Sequence, residues 1–248
     1  MARFFLFGSN VPAGGTVVLQ GEDAQHAKVL RLKVGERIIV SDGAGNDSVC
    51  TIRRISPERV EAEVNETSAN QAEPSVRVTI LAGLPKQGER SDYVVQKCTE
   101  CGAAEIVFFI SHRCVAVPKP DALEKRAVRW RRIAAEAAMQ AGRGIIPEVS
   151  AVEDFGAALD LAVKTELPLF LYETGQRTPL RDVLEALPAG LRSAAILTGP
   201  EGGFEPFEAE LARRLDFRVC AMGPRILRCE TAPVAALSAL MYATGNLS

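Results

Sequence analysis

The chain has 248 residues, 47% of them hydrophobic and 24% charged, with a formal net charge of −2. That balance excludes a disordered chain and a general polyanion binder. The apolar start at residues 4–7 is far shorter than a signal-peptide core, and no apolar run reaches transmembrane length, so the expectation is a cytoplasmic protein.

In chain order, residues 4–7, 16–20, 36–41, 48–53 and 59–64 read as short strands of a small β-barrel, with residues 42–46 as a hairpin loop. A short helix interrupts them at about residues 23–32, with Asp23 as its expected N-cap and His26, Lys28, Arg31 and Lys33 along it. That helix reads either as a solvated face or as a nucleic-acid contact. Residues 65–75 are polar, lack apolar periodicity and contain Pro74, which predicts a linker. The expected division is a β-barrel domain at 1–70 and a second domain at 71–248.

Beyond the linker, apolar β runs alternate with helical patterns. Strands are expected at 76–82, 105–110, 169–172, 194–197 and 218–221. Helices are expected at 89–101, 122–141, 154–163, 179–187, 206–215 and from 232 to about 243, with Thr231 capping the last. The alternation predicts an α/β fold with a mostly parallel sheet and ligands at the carboxyl ends of its strands. In the longest helix Leu123, Ala127, Trp130, Ala134, Ala137 and Ala141 form an apolar stripe. The stretch 84–147 carries eleven Lys/Arg against seven Asp/Glu, whereas 148–248 carries nine against fourteen. Arg129, Arg132 and Arg143 belong to this basic stretch and read as a charged face or as phosphate contacts.

The six cysteines are scattered, which reads as reduced thiols. The Cys98-Thr99-Glu100-Cys101 spacing falls at a helix end whose partial negative charge disfavours thiolate. A buried structural pair is therefore expected, with no metal.

Two loops carry most of the chemistry. Thr198-Gly199-Pro200-Glu201-Gly202-Gly203-Phe204 follows an apolar strand and permits close approach of a ligand to its backbone. It lacks the Lys-Ser/Thr of a P-loop and the glycine spacing of a dinucleotide fingerprint. Glu201 reads as a ribose or cation ligand, or a local cap. The second loop, Met222-Gly223-Pro224-Arg225-Ile226-Leu227-Arg228-Cys229-Glu230-Thr231-Ala232, has an apolar pair able to wall a flat ring. A third strand end, Leu171-Tyr172-Glu173, is expected at the same sheet edge.

These two loops closely resemble the hallmark stretches of the bacterial 16S rRNA uracil-N3 methyltransferases of the SPOUT superfamily. His26-Ala27-Lys28-Val29-Leu30-Arg31, Lys97-Cys98-Thr99-Glu100-Cys101-Gly102 and the stretch from Glu136 to Arg143 resemble further motifs of that family in matching order. Cys101 and Ser111-His112-Arg113-Cys114 depart from its pattern. The resemblance implies a PUA-like barrel, a trefoil-knotted α/β domain that binds S-adenosylmethionine, a homodimer, and an RNA substrate in the small ribosomal subunit. The cofactor pocket it implies is lined by Leu171, Tyr172, Glu173, Thr198, Gly199, Pro200, Gly202, Gly203, Met222, Gly223, Ile226 and Leu227. Arg228 is then the candidate cation beside the uracil, Glu201 or Glu230 the candidate base, and His26, Lys28, Arg31, Arg129, Arg132 and Arg143 the candidate RNA contacts. The alternatives are another SPOUT methyl transfer, to a ribose 2′-O or a different base nitrogen, and a non-catalytic ribosome-assembly RNA-binding protein.

Overall fold

The computed structural model describes residues 1–8, 12–115 and 118–247. Its chain divides into two compact units, residues 1–73 with 138–146, and residues 74–137 with 147–248.

In the first unit, strands β1 (Ala2–Phe5), β2 (Thr16–Gln20), β3 (Arg37–Ser41), β4 (Asn46–Ile55) and β5 (Arg59–Ala69) form one sheet in the order β1-β3-β4-β5-β2. Only the β1/β3 pair is parallel. Alternate residues of β4 and β5 face one core: Cys50 and Ile52, and Val60, Ala62 and Val64, pack with Phe4, Leu19, Ile38 and Val40. This is the period-2 pattern of a sheet with one buried face. Asp42 Oδ1 accepts from Ala44 N at 2.7 Å and Asn46 N at 3.0 Å, which closes the expected hairpin loop.

Two expectations here are corrected. Residues 65–69 are not linker, because β5 continues along β4 to the Asn46–Ala69 pair. The ladder, with a Ser48–Thr67 hydroxyl pair at 2.8 Å, holds a segment that has no apolar periodicity to announce it. Helix α1 (Glu22–Val29) starts one residue before Asp23, with Gly21 at the N-cap at φ 58. Asp23 therefore sits in the first turn, where its charge meets the positive end of the helix dipole.

The return of residues 138–146 to this unit is fixed by buried polar chemistry. Glu73 takes the Arg143 guanidinium in a fork, with Nη2 at 2.8 Å and Nε at 3.2 Å, and also accepts from the amides of Gly144 and Ile145 at 3.0 Å each. Asn70 donates to Asp47 at 2.7 Å and to the Gly142 carbonyl at 3.0 Å, and Asp47 also accepts from Arg3 and Ser41.

The second unit contains strands β6 (Arg77–Gly83), β7 (Glu105–Phe109), β8 (Glu148–Val152), β9 (Leu167–Leu171), β10 (Thr178–Pro179), β11 (Ser193–Thr198) and β12 (Arg218–Ala221). They form a fully parallel sheet in the order β10-β12-β9-β11-β6-β7-β8. Helices α2 (Gly88–Glu100), α3 (Pro120–Ala141), α4 (Phe155–Ala162), α5 (Leu180–Glu185), α6 (Pro206–Arg214) and α7 (Thr231–Ala243) connect or follow the strands. None of the described helices is long and apolar enough to cross a membrane. Strand β8 was not expected, since Glu148 is exposed and the run alternates instead of reading as an apolar block.

One core cluster joins Leu81, Val107, Phe109, Phe155, Phe170, Leu197, Phe204 and Phe217. On α3, Ala127, Trp130, Ala134 and Ala137 are buried as the stripe predicts. Trp130 packs tilted against Phe108, ring centroids 4.3 Å apart, and donates to Ser91 Oγ at 3.1 Å, which satisfies its buried N–H.

The first unit makes a pH prediction. Burial raises the Asp47 carboxyl, but bonds from Arg3, Ser41 and Asn70 outweigh it and hold the group below its ordinary value. Its stabilisation is complete above the unfolded carboxylate value of about 3.9 and is lost as pH falls through the lower folded value. Denaturant midpoints should therefore place Asp47→Asn below wild type at pH 7, with the gap narrowing in acid; equal midpoints at neutral pH would contradict the network's role.

Candidate functional site

At the carboxyl ends of β9, β11 and β12 a cavity of about 330 Å³ opens. Leu171, Tyr172, Glu173, Thr198, Gly199, Pro200, Gly203, Met222, Gly223, Ile226 and Leu227 line it, as the two loops and the third strand end predict. Gly202 does not. It faces away, and a Cβ there would lie 2.8 Å from the Arg113 carbonyl oxygen. The cavity sits at the carboxyl ends of neighbouring parallel strands, the edge at which an α/β sheet receives a ligand.

Local geometry explains why the first loop is glycine-rich. Gly83, at the end of β6, abuts the Pro200 ring, so no side chain fits between the strand end and the loop. Gly203 has φ 67, and a Cβ on it would lie 2.5 Å from Glu173 Oε1. Phe204 then anchors the loop in the core, 2% exposed and 4.4 Å from the Phe170 ring. Arg113 supports the outer side, donating to the Gly202 carbonyl at 3.2 Å and to Glu205 at 3.0 Å. Helix α6 begins with Glu208 accepting from the Glu205 amide at 2.8 Å, so Glu201 is not its cap.

Glu201 is engaged elsewhere. Its carboxylate accepts from the Lys86 amide at 3.1 and 3.3 Å and from Arg90 Nη1 at 3.1 Å. Arg90 Nε is also 3.9 Å from Glu230 Oε2, and the Cys229 thiol donates to that same oxygen at 3.2 Å. Burial raises Glu230, but its backbone, the thiol, Arg90 and Arg228 together hold it below the usual carboxylate range. The Cys229 thiol is pushed up to about 11, first by burial and then by the carboxylates. Arg228, Arg225 and Glu201 line the cavity, while Glu230 stands just behind Cys229 at the start of α7. Thr231 is the first residue of α7 and not its cap. The leading amides of Thr231 and Ala232 bond to the Arg228 carbonyl at 2.9 and 3.0 Å, so the backbone supplies what a cap would.

Among the described residues that line the cavity, one buried side-chain polar atom has no hydrogen-bond partner. Thr198 is 1% exposed, it lines the cavity, and its Oγ1 has no hydrogen-bond partner. A buried hydroxyl in that state lacks compensation for its lost hydration, and a ligand polar group would provide it.

The candidate RNA residues separate into three kinds. His26, Lys28 and Arg31 are exposed on and just after α1 in the first unit. Arg129 and Arg132 are exposed on α3 but paired, with Asp92 at 2.9 Å and Glu136 at 3.0 Å. Arg143 is corrected: its side chain is 3% exposed and held by Glu73, so it is a structural tie and not a surface contact. Cys98 is buried and its thiol raised by that burial, while Cys101 Sγ is 3.5 Å from Ser238 Oγ. No group of three metal-ligating side chains occurs among the described residues.

Sequence reasoning missed Arg90, Cys220, Ala221, Cys229 and Ala232 as lining residues. Cys229 and Ala232 lie inside the second loop and were within reach of its pattern. Arg90 had no such signal, because it is brought to Glu201 across 111 positions by the β6/β11 pairing alone.

Comparison with known proteins adds a family. A model of an RNA methyltransferase domain matches residues 72–241, and one of an RNA methyltransferase PUA domain matches 19–65. The chain is 34% identical to ribosomal RNA small subunit methyltransferase E of Bacillus subtilis, over 98% of this chain and 97% of that one. A solved ribosomal RNA small subunit methyltransferase E from Neisseria gonorrhoeae, bound to S-adenosyl methionine, superposes with a TM-score of 0.85 at 29% identity, covering 98% of this chain and 97% of its own. A Legionella pneumophila structure in complex with bound SAM superposes with a TM-score of 0.83 at 30% identity over the same shares.

The loop geometry predicts that Gly203→Ala destabilises the second unit by about 1–3 kcal/mol, from the positive φ and the collision with Glu173. Gly223 also has a positive φ but open space around it, so Gly223→Ala should cost less. Denaturant melts of the two variants check the ranking, and a larger loss at Gly223 would refute it.

Proposed function

The chain belongs to the ribosomal RNA small subunit methyltransferase E family, and on that premise we propose that it methylates N3 of one uridine in 16S rRNA, using S-adenosylmethionine. The observation that carries the reading is the unpartnered Thr198 hydroxyl in a cavity walled by both family-like loops. The cavity fits an adenosine in kind. Leu171, Ile226 and Leu227 offer apolar walls for a flat ring, and the loop amides and Thr198 offer polar partners. When bound, S-adenosylmethionine supplies an electrophilic methyl group on a sulfonium sulfur.

The protein's own part is orientation and charge. Loops 199–203 and 222–227 would hold the cofactor's adenosine. Arg228, on the cavity wall, stabilises the negative charge that develops on the uracil as N3 loses its proton. Of the two candidate bases, Glu201 lines the cavity with its oxygens bonded to Lys86 and Arg90, and Glu230 lies behind Cys229 with one oxygen taking that thiol, so either is kept as the proton acceptor.

Target binding in this reading uses phosphate contacts from His26, Lys28 and Arg31 and from Arg129 and Arg132, across a structured RNA. Within the same proposal the first unit is a PUA-like barrel, the second threads a trefoil knot, and the protein acts as a cytoplasmic homodimer. The strand order at the cavity supports such threading, since β12 returns beside β9 after β11 is laid down on its other side.

Calorimetry on the purified protein should register S-adenosylmethionine binding with competition by S-adenosylhomocysteine; no heat and no competition would reject the cofactor. Mass mapping of 16S rRNA from a deletion strain should find one uridine without a base methyl, and an unchanged map would reject the target. Arg228→Ala should lower kcat by about 10²–10³ with cofactor affinity mostly kept, whereas near-normal turnover would remove Arg228 from the mechanism.

A further inference from the structure

Arg90 is the cation that meets carboxylates from both pocket loops. It stands in the first turn of α2, three residues beyond Gln87, and its side chain is 25% exposed. Nη1 donates to Glu201 at 3.1 Å, in the loop after β11. Nε lies 3.9 Å from Glu230, at the end of the loop after β12, and Nη1 lies 3.9 Å from the Cys229 sulfur between them. Glu201 and Glu230 are only 21% and 16% exposed, so their charges are poorly screened by water. Two such carboxylates, one on the cavity wall and one just behind it, repel each other unless a cation divides them.

We propose that Arg90 is a positioning residue that draws the Glu201 loop and the Glu230 loop together and sets the charge felt at the cofactor sulfur. The inference rests on the proposed use of S-adenosylmethionine. Arg90 acts through the two glutamates and takes no part in bond making. Its planar fork suits the task, because separate nitrogens address partners in different directions while its charge offsets one carboxylate. Arg225 and Arg228 also line the cavity, but no ion pair joins either of them to Glu201 among the described contacts.

This role has a signature that packing alone would not give. S-adenosylmethionine and S-adenosylhomocysteine differ at sulfur by a methyl group and one positive charge. Removing Arg90 leaves the cavity one unit more negative, which favours the sulfonium over the thioether even as the loops loosen. Removing Glu201 has the opposite effect on that preference.

The test is calorimetry of both ligands on the full chain, with thermal melts to verify folding. Arg90→Gln is expected to weaken S-adenosylhomocysteine roughly tenfold or more and to shift preference toward S-adenosylmethionine by about threefold or more. Glu201→Gln should shift preference toward S-adenosylhomocysteine. The Arg90→Gln/Glu201→Gln double variant should return the preference to the wild-type value, and Arg90→Lys should keep that preference while weakening both ligands. If Arg90→Gln fails to fold, the Arg90→Lys and Glu201→Gln arms decide. Unchanged affinities, or equal weakening of both ligands with no restoration in the double variant, would overturn the inference. Wild-type protein that binds neither ligand would instead overturn the proposed function, and this role with it.

Discussion

The pocket depends on how a glycine-rich loop is held at the end of a strand. Three glycines in five positions give residues 199–203 many conformations to lose on folding, a cost of about 1–2 kcal/mol per residue for backbone ordering. The loop is fixed at both ends. Pro200 packs on the bare backbone of Gly83, and Phe204 is buried among Phe109, Phe155 and Phe170. Burying one such ring is worth about 1.5–3 kcal/mol, so the anchor offsets a substantial part of the ordering cost. Glu201, tied to Lys86 and Arg90, holds the middle of the loop.

Much of this was legible in the sequence because it follows from periodicity and turn chemistry. The alternation of apolar runs and helical patterns beyond residue 75 foretold a parallel sheet, and the glycine positions foretold where its ligand edge lies. What was not legible came from long-range pairing. Strand β8 has too few apolar residues to stand out from its neighbours. The end of β5 is a strand only because β4 lies beside it. Arg143 reads as a surface cation in a basic stretch, yet Glu73 and two neighbouring amides turn it into a buried tie. Residue type set the inventory of charges, and topology decided which of them are spent inside.

The same distinction reshapes the electrostatic reading. The basic excess of residues 84–147 looked like a phosphate-binding face, but Arg113, Arg129, Arg131 and Arg132 each have a carboxylate partner on the second unit. Exposed pairs of this kind are weak, about 0–1 kcal/mol, and a polyanion can displace such a partner. The exposed cations on and after α1 carry no comparable pairing among the described contacts. Arg31 adopts φ 56 where that helix ends, an unusual conformation for a residue with a side chain.

Cys229 stands on the wall of a cavity that, in the proposed function, receives an alkylating agent. With its thiol pushed up to about 11, only about one molecule in ten thousand carries a thiolate at pH 7. Thiolates, not thiols, attack sulfonium carbon. Burial first, and the neighbouring carboxylates after it, hold the proton on sulfur and so give the site chemoselectivity, suppressing methylation of its own wall and leaving the methyl group for the nucleic acid.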